Sequence, residues 1–194
     1  MSVRLFVAIE IEKRIKERIL ELLENLKRTG ADIRWVASEN LHVTVKFIGD
    51  SDPVILPSLA KSLENVASGF NPFRIEIENF AVFPTAKKPR IVFVGLRDKE
   101  NNLTKIFEAV ETETEKFGIK RESRKYFGHI TVGRTKTEKN IHKLIEILRT
   151  DSNHFFGQEN VRHISLIQSE LTPKGPIYTT IKKFILNKNE HRNH

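Results

Sequence analysis

The chain has 194 residues, 39% hydrophobic and 30% charged, which suits a globular protein burying one real core in one domain of one or two lobes. It has no cysteine, which excludes disulfides, zinc–thiolate sites and thiol nucleophiles and fits a cytoplasmic location, and no apolar run is long enough to cross a bilayer. The formal net charge of +8 favours a polyanionic partner such as RNA or DNA, and between residues 116 and 139 eight lysines and arginines face only two glutamates.

Residues 3–11 read as a buried strand, because Leu5, Phe6, Val7, Ala8 and Ile9 are continuously apolar; the stretch is too short, and charged too soon afterwards, for a signal peptide. Ile15, Ile19, Leu22, Leu23 and Leu26 recur at helical spacing over residues 12–27, and Gly30 is a stop signal. A short extended piece at 33–36 carries Trp35, expected to be partly buried. Residues 41–48 form a strand ended by Gly49, and Pro53 opens a second helix through Leu56, Leu59, Leu63 and Val66. Phe73, Ile75 and Ile77 alternate with polar residues in a strand over 73–82, and residues 90–96 return it as a hairpin.

A third helix spans 101–117, followed by a basic loop at 120–125 and a strand at 127–134. Thr137 can cap a fourth helix through Ile141, Leu144, Ile145 and Leu148. Residues 158–169 read as one long strand, 172–176 as a turn, and 177–186 as the final strand. Residues 187–194 are polar and expected to fray, with His191 and His194 as tail residues.

One pattern occurs twice. Residues 41–49 contain His42-Val43-Thr44, and residues 127–134 contain His129-Ile130-Thr131. A strand alternates its side chains, so each copy offers one imidazole and one hydroxyl on the same face. One copy alone fits a half-buried strand histidine; two copies, both with β-branched residues between, point to a shared cleft for acid–base work on a phosphate. Histidine has an unperturbed pKa of about 6.5 and can give or take a proton near neutrality. Each half also has a motif strand, a helix and then a strand pair joined by a Pro-containing turn. That order predicts an α+β fold with two similar lobes, residues 1–186 forming one bilobal domain and 187–194 a tail.

These motifs resemble the 2H phosphoesterases, and within them the RNA 2',3'-cyclic phosphodiesterase branch, also called the 2'-5' RNA ligase family. The residues that carry the resemblance are 4–9, Trp35, 39–49, 129–134, Ser169-Glu170-Leu171, Gly175 and Tyr178. The resemblance implies pseudo-symmetric lobes of antiparallel sheet and helices around a central cleft. It implies metal-independent hydrolysis of RNA 2',3'-cyclic phosphate ends to 2'-phosphomonoesters, without cofactor, with RNA (tRNA fragments included) as partner. It further implies His42 as proton donor, His129 as proton acceptor, and Thr44 and Thr131 as hydrogen-bond donors to the phosphate. Arg134, Lys46 and Tyr178 are the substrate-binding candidates. Strict alternation puts Arg134 opposite to His129, unless a bulge at Gly133 turns it back. Ligation is a side reaction of the same chemistry. Two other readings stay open on the residues alone: a non-catalytic RNA-binding module using the same basic cleft, and a metal site on the two histidines, for which no further ligands accompany either motif. No feature requires more than a monomer, and no membrane partner is expected.

Overall fold

Alternating apolar residues in the strands and three-to-four spacing in the helices leave each element one face to bury. The computed structural model describes residues 2–173 and 175–187. The expected tail beyond Asn187, with His191 and His194, and Lys174 in the expected turn lie outside the described residues. In chain order the elements are β1 (Val3–Glu10), α1 (Lys13–Lys27), β2 (Ile33–Trp35), β3 (His42–Ser51), α2 (Leu56–Ala67), β4 (Phe73–Phe83) and β5 (Ile91–Arg97). They continue with α3 (Asn102–Glu115), β6 (His129–Thr135), α4 (Ile141–Thr150), β7 (Phe155–Val161), β8 (His163–Thr172) and β9 (Gly175–Ile185). Among the described residues no helix is long and apolar enough to cross a membrane.

The strands form one antiparallel sheet in the order β7-β4-β5-β6-β3-β1-β8-β9, and β2 pairs with β6 beside that path. Read outward from its middle, the sheet is a match of two halves. On one side β3 is followed by β1, β8 and β9; on the other β6 is followed by β5, β4 and β7. Ile9 of β1 pairs with Val43, and Val94 of β5 pairs with Ile130, so the two halves share a register. This is the α+β, two-lobed antiparallel architecture expected from the motif pattern.

The chain does not keep each half to its own lobe. The edges of β3 are taken by β1 and β6, so the strand pair that follows β3 builds the lobe of β6. Likewise β8 and β9, which follow β6, build the lobe of β3. The single strand expected at 158–169 is two strands broken at Arg162: β7 pairs with β4, and β8 pairs with β1. Val161, Ile164 and Leu166 are all buried, so apolar residues flank the break closely on both sides, and only the three-residue step from Val161 to Ile164 marks it. One residue cannot span a flat sheet of this width. The sheet therefore curls until its β7 edge approaches β8.

Helix starts also differ from expectation. Pro53–Ile55 is a 3-10 turn, with the Asp52 carboxylate accepting the Val54 N–H, and α2 begins only at Leu56. Thr137 does not cap α4; its hydroxyl donates to Asp32 at 2.8 Å, and Asn140, at φ 55°, precedes the helix.

One face of the sheet carries the main core. Leu5, Val7, Ile9, Val43, Val45, Ile130 and Val132 pack there with Ile15, Ile19, Leu59, Leu63, Ile106 and Leu144 from the helices. On the opposite face a small separate cluster of Phe6, Ala8 and Ile167, covered by Tyr178, lines a cleft. Gly133 holds β2 against β6: a Cβ there would lie 2.6 Å from Ile33 Cγ2 and 2.8 Å from Trp35 Cε3. Gly133→Ala is therefore expected to lower stability by about 1–3 kcal/mol, as overpacking does, read from the urea midpoint.

Candidate active site

The two motif strands meet at one residue pair, Val43 with Ile130. Both side chains are fully buried on the helix-covered face. In an antiparallel pair, flanking positions face each other in register. That register sets His42 opposite Thr131 and His129 opposite Thr44. All four point away from the core, into the cleft.

Each strand then carries a bulge at the matching place. Thr44 pairs with Ala8 and Lys46 with Val7, which leaves Val45 as the extra residue. Thr131 pairs with Phe93 and Gly133 with Val92, which leaves Val132 extra. A bulge adds one residue and so reverses the alternation beyond it. Lys46 and Gly133 consequently turn towards the core, while Phe47 and Arg134 return to the face of the histidines.

This places two of the sequence candidates on opposite faces. Lys46 leaves the cleft: it is 4% exposed, its Nζ lies 2.6 Å from Glu111 Oε1, and it donates to the Lys120 carbonyl at 2.9 Å. Simple alternation would keep it beside His42 and Thr44, and the bulge at Val45 removes it. Arg134 joins the cleft instead, where its charge acts on Tyr178. Burial pushes the pKa of the Tyr178 hydroxyl up, and the positive charges of Arg134 and Arg4 oppose that rise. Sequence reading missed Arg4 and Phe47, although Arg4 shares strand parity with Phe6 and Ala8.

The imidazoles are held alike. His42 Nδ1 donates to the Asn40 carbonyl at 2.7 Å, and His129 Nδ1 donates to the Phe127 carbonyl at 2.8 Å. A carbonyl only accepts, so Nδ1 carries the hydrogen in each ring and Nε2 is left for the cleft. This device escaped the sequence reading because a main-chain carbonyl has no residue signature. In neutral His42, Nε2 accepts the Thr44 hydroxyl at 3.0 Å. Ring contacts fix the planes. Phe6 lies 5.0 Å and Tyr178 5.5 Å from the His42 ring, and Phe93 lies 5.4 Å and Phe127 5.8 Å from that of His129. Burial pushes the His42 pKa below its ordinary 6.5; the Asn40 carbonyl opposes this, while the charges of Lys16 and His129 add to it.

Beside His42 a cavity of about 220 Å³ is lined by Glu10, Lys16, Asn40, Ile167, Tyr178 and Thr180. Burial alone would raise the Glu10 pKa, but bonds from Lys183, His163 and Ser165 hold it at about 2, so it is an anion at the cleft margin. A larger cavity of about 610 Å³ lies elsewhere, between Lys87-Lys88 and α4. Neither motif histidine lines it. His142 lines that larger cavity, His154 lies 3.1 Å from Asp151, and His163 bonds Glu10. Among the described residues no three His, Asp or Glu side chains gather as a metal site would require.

Comparison with known proteins agrees with this two-fold layout. Residues 9–93 and 94–178 each match the model of the LigT-like phosphoesterase family. The two matches begin at Ile9 and Val94, the residues paired with Val43 and Ile130. The RNA 2',3'-cyclic phosphodiesterase of Methanocaldococcus jannaschii is 37% identical over 181 residues, covering 93% of this chain and 99% of that one. The protein of the same name from Methanothermobacter thermautotrophicus is 34% identical over 186 residues, 96% of this chain and all (100%) of that one. Among solved structures, Escherichia coli LigT in its apo form aligns with a TM-score of 0.76 at 22% identity over 96% of this chain and 99% of that chain. LigT complexed with 3'-AMP aligns with a TM-score of 0.78 at 21% identity over 97% of this chain and 100% of that chain.

The asymmetry at His42 is measurable. In a proton NMR titration its ring is expected to titrate below pH 6.5 in the free protein. A bound phosphate favours imidazolium, so inorganic phosphate is expected to move the midpoint upward. A midpoint above 6.5 in the free protein would contradict the burial described for this ring.

Proposed function

The chain belongs to the LigT-like phosphoesterase family, and from that membership and the paired histidines we propose that it opens 2',3'-cyclic phosphate ends of RNA to 2'-phosphomonoesters. The observation that carries the reading is the approach of two Nδ1-tethered imidazoles and two strand hydroxyls on one sheet face. Residues 1–186 would act as one bilobal unit. Every group the reading uses comes from a single chain, which fits a monomer.

Displacement at phosphorus runs in line, with the entering and leaving oxygens on opposite sides. Two imidazoles related by the pseudo-two-fold between β3 and β6 suit that demand. In the proposed step His129 Nε2 takes a proton from water as its oxygen bonds to phosphorus. The bond from phosphorus to the ribose 3'-oxygen breaks, and His42 Nε2–H protonates that oxygen. The low pKa of His42 in the free protein makes it a stronger acid, and the charge of the bound phosphate favours its protonated form. Thr44 and Thr131 would donate to the non-bridging oxygens, and Arg134 would neutralise charge there, with Tyr178 at the ribose side. Replacing water by a ribose 5'-hydroxyl gives a 2'–5' linkage by the same step, so ligation is a side reaction on this reading.

The test is an assay in EDTA on a short RNA ending in 2',3'-cyclic phosphate, with the product end identified. Wild type is expected to yield a 2'-phosphate. His42→Ala and His129→Ala are each expected to lose about 10²–10⁴-fold in rate, the usual share of one general acid or base. Thr44→Val and Thr131→Val are expected to lose less, about 10–10²-fold, as hydrogen-bond donors to the phosphate. An untouched cyclic end with wild type, or full activity in either histidine variant, would overturn the assignment.

A further inference from the structure

The buried Lys46–Glu111 pair is an expensive arrangement for a core. Both residues are under 5% exposed, and two apolar side chains of similar size would usually serve stability as well. What apolar residues could not supply is the pair's second set of bonds. Lys46 Nζ also donates to the Lys120 carbonyl at 2.9 Å, and Glu111 Oε2 accepts the Glu122 N–H at 3.1 Å. Both partners are backbone groups of the segment 119–128, which has neither helix nor strand. Two further ties fasten the same segment to the motif strands. The Tyr126 hydroxyl donates to the Thr44 carbonyl at 3.0 Å, with its ring stacked on Phe107 at 4.7 Å. The Phe127 carbonyl accepts from His129 Nδ1.

The loop is thus fixed by its backbone while its cations remain free. Lys120, Arg124 and Lys125 are exposed, and among the described residues their side chains make no ion pair or hydrogen bond. Arg121 alone is engaged, by Glu115 at 3.1 Å. Phe127, 61% exposed, stands at the end of the run against the His129 ring. A pre-positioned row of cations leading to the reactive end has the chemistry of a sugar–phosphate track.

We infer that residues 119–128 form an arm that grips the RNA backbone on the 5' side of the cyclic end, and that Lys46 and Glu111 are positioning residues that clasp this arm to the catalytic strand. The inference rests on the RNA reading above and extends it from the terminal phosphate to the nucleotides behind it. It also gives Lys46 a place in recognition without contact to substrate.

The test uses a 5'-fluorescein decaribonucleotide ending in a 2'-phosphate, the product end, so that binding is read by anisotropy without turnover. Arg124→Ala with Lys125→Ala is expected to weaken binding roughly tenfold near 0.1 M salt, and to reduce the slope of log affinity against log salt by about 1.4, for two single-strand phosphate contacts at about 0.7 each. The ratio of kcat/KM on a cyclic-ended decamer to that on a nucleoside 2',3'-cyclic phosphate is expected to fall by a similar factor. Affinity and slope equal to wild type would overturn the arm, whatever the turnover. Weakened oligonucleotide binding in a protein that leaves every cyclic end intact would support the arm and remove the phosphodiesterase reading instead. For the clasp, Lys46→Met with Glu111→Leu keeps an apolar core. It is expected to speed amide exchange across residues 120–126 and to weaken decamer binding as the loop variant does. Exchange at the wild-type rate, or faster exchange with undiminished binding, would overturn the clasp.

Discussion

Val43 and Ile130 pair across the middle of the sheet, and the cleft depends on that contact. It is the point where the two halves of the molecule join, and it fixes the register of both histidine strands at once. A slip of one residue would send every imidazole and hydroxyl to the opposite face. The pair is held by its own burial: Val43, Ile130 and the next inward residues, Val45 and Val132, are almost wholly withdrawn from solvent. The face of the histidines is therefore positioned by the apolar one, through side chains that never touch the cleft.

The matched bulges at Val45 and Val132 add a second level of placement. They let one strand serve two purposes within six residues, first presenting His and Thr to the cleft and then turning the next residue inward. In β3 the inward residue is Lys46, which ties the basic loop; in β6 it is Gly133, which admits β2. The same geometry thus supports unlike local chemistry in the two halves. The two-fold likeness lies in the backbone, and the differences between the histidines come from what surrounds them: Phe6, Tyr178 and Lys16 for one, Phe93 and Phe127 for the other.

Much of this was legible in the chain. The helices α1 and α3, the β4–β5 hairpin and both histidine strands follow from periodicity and stop signals, because each is an amphipathic element whose burial matches its local pattern. Local pattern failed where partners alone decide. The break at Arg162 leaves only a slip of phase as a local mark, from Val161 to Ile164 and Leu166 on the core side, and the apolar residues on both sides read as one run. Nothing local says that β4 and β8 cross to the opposite lobe. At the cleft, His42, Thr44, His129 and Thr131 were visible as a repeated motif. Lys46 was misplaced and Arg134 left ambiguous for one reason: a bulge is set by the neighbouring strand, and alternation counted along one strand cannot register it. The carbonyls of Asn40 and Phe127 were invisible because any residue would supply them.

The central claim is that both histidines address one phosphate from opposite sides. It is tested most directly by a crystal structure of the protein soaked with a nucleoside 2'-monophosphate. The phosphate is expected between His42 and His129, with each Nε2 and both threonine hydroxyls within hydrogen-bond distance of its oxygens, and Nδ1 of each ring still on its main-chain carbonyl. A phosphate seated in the larger cavity beside α4, or held by one histidine with the other turned away, would contradict it.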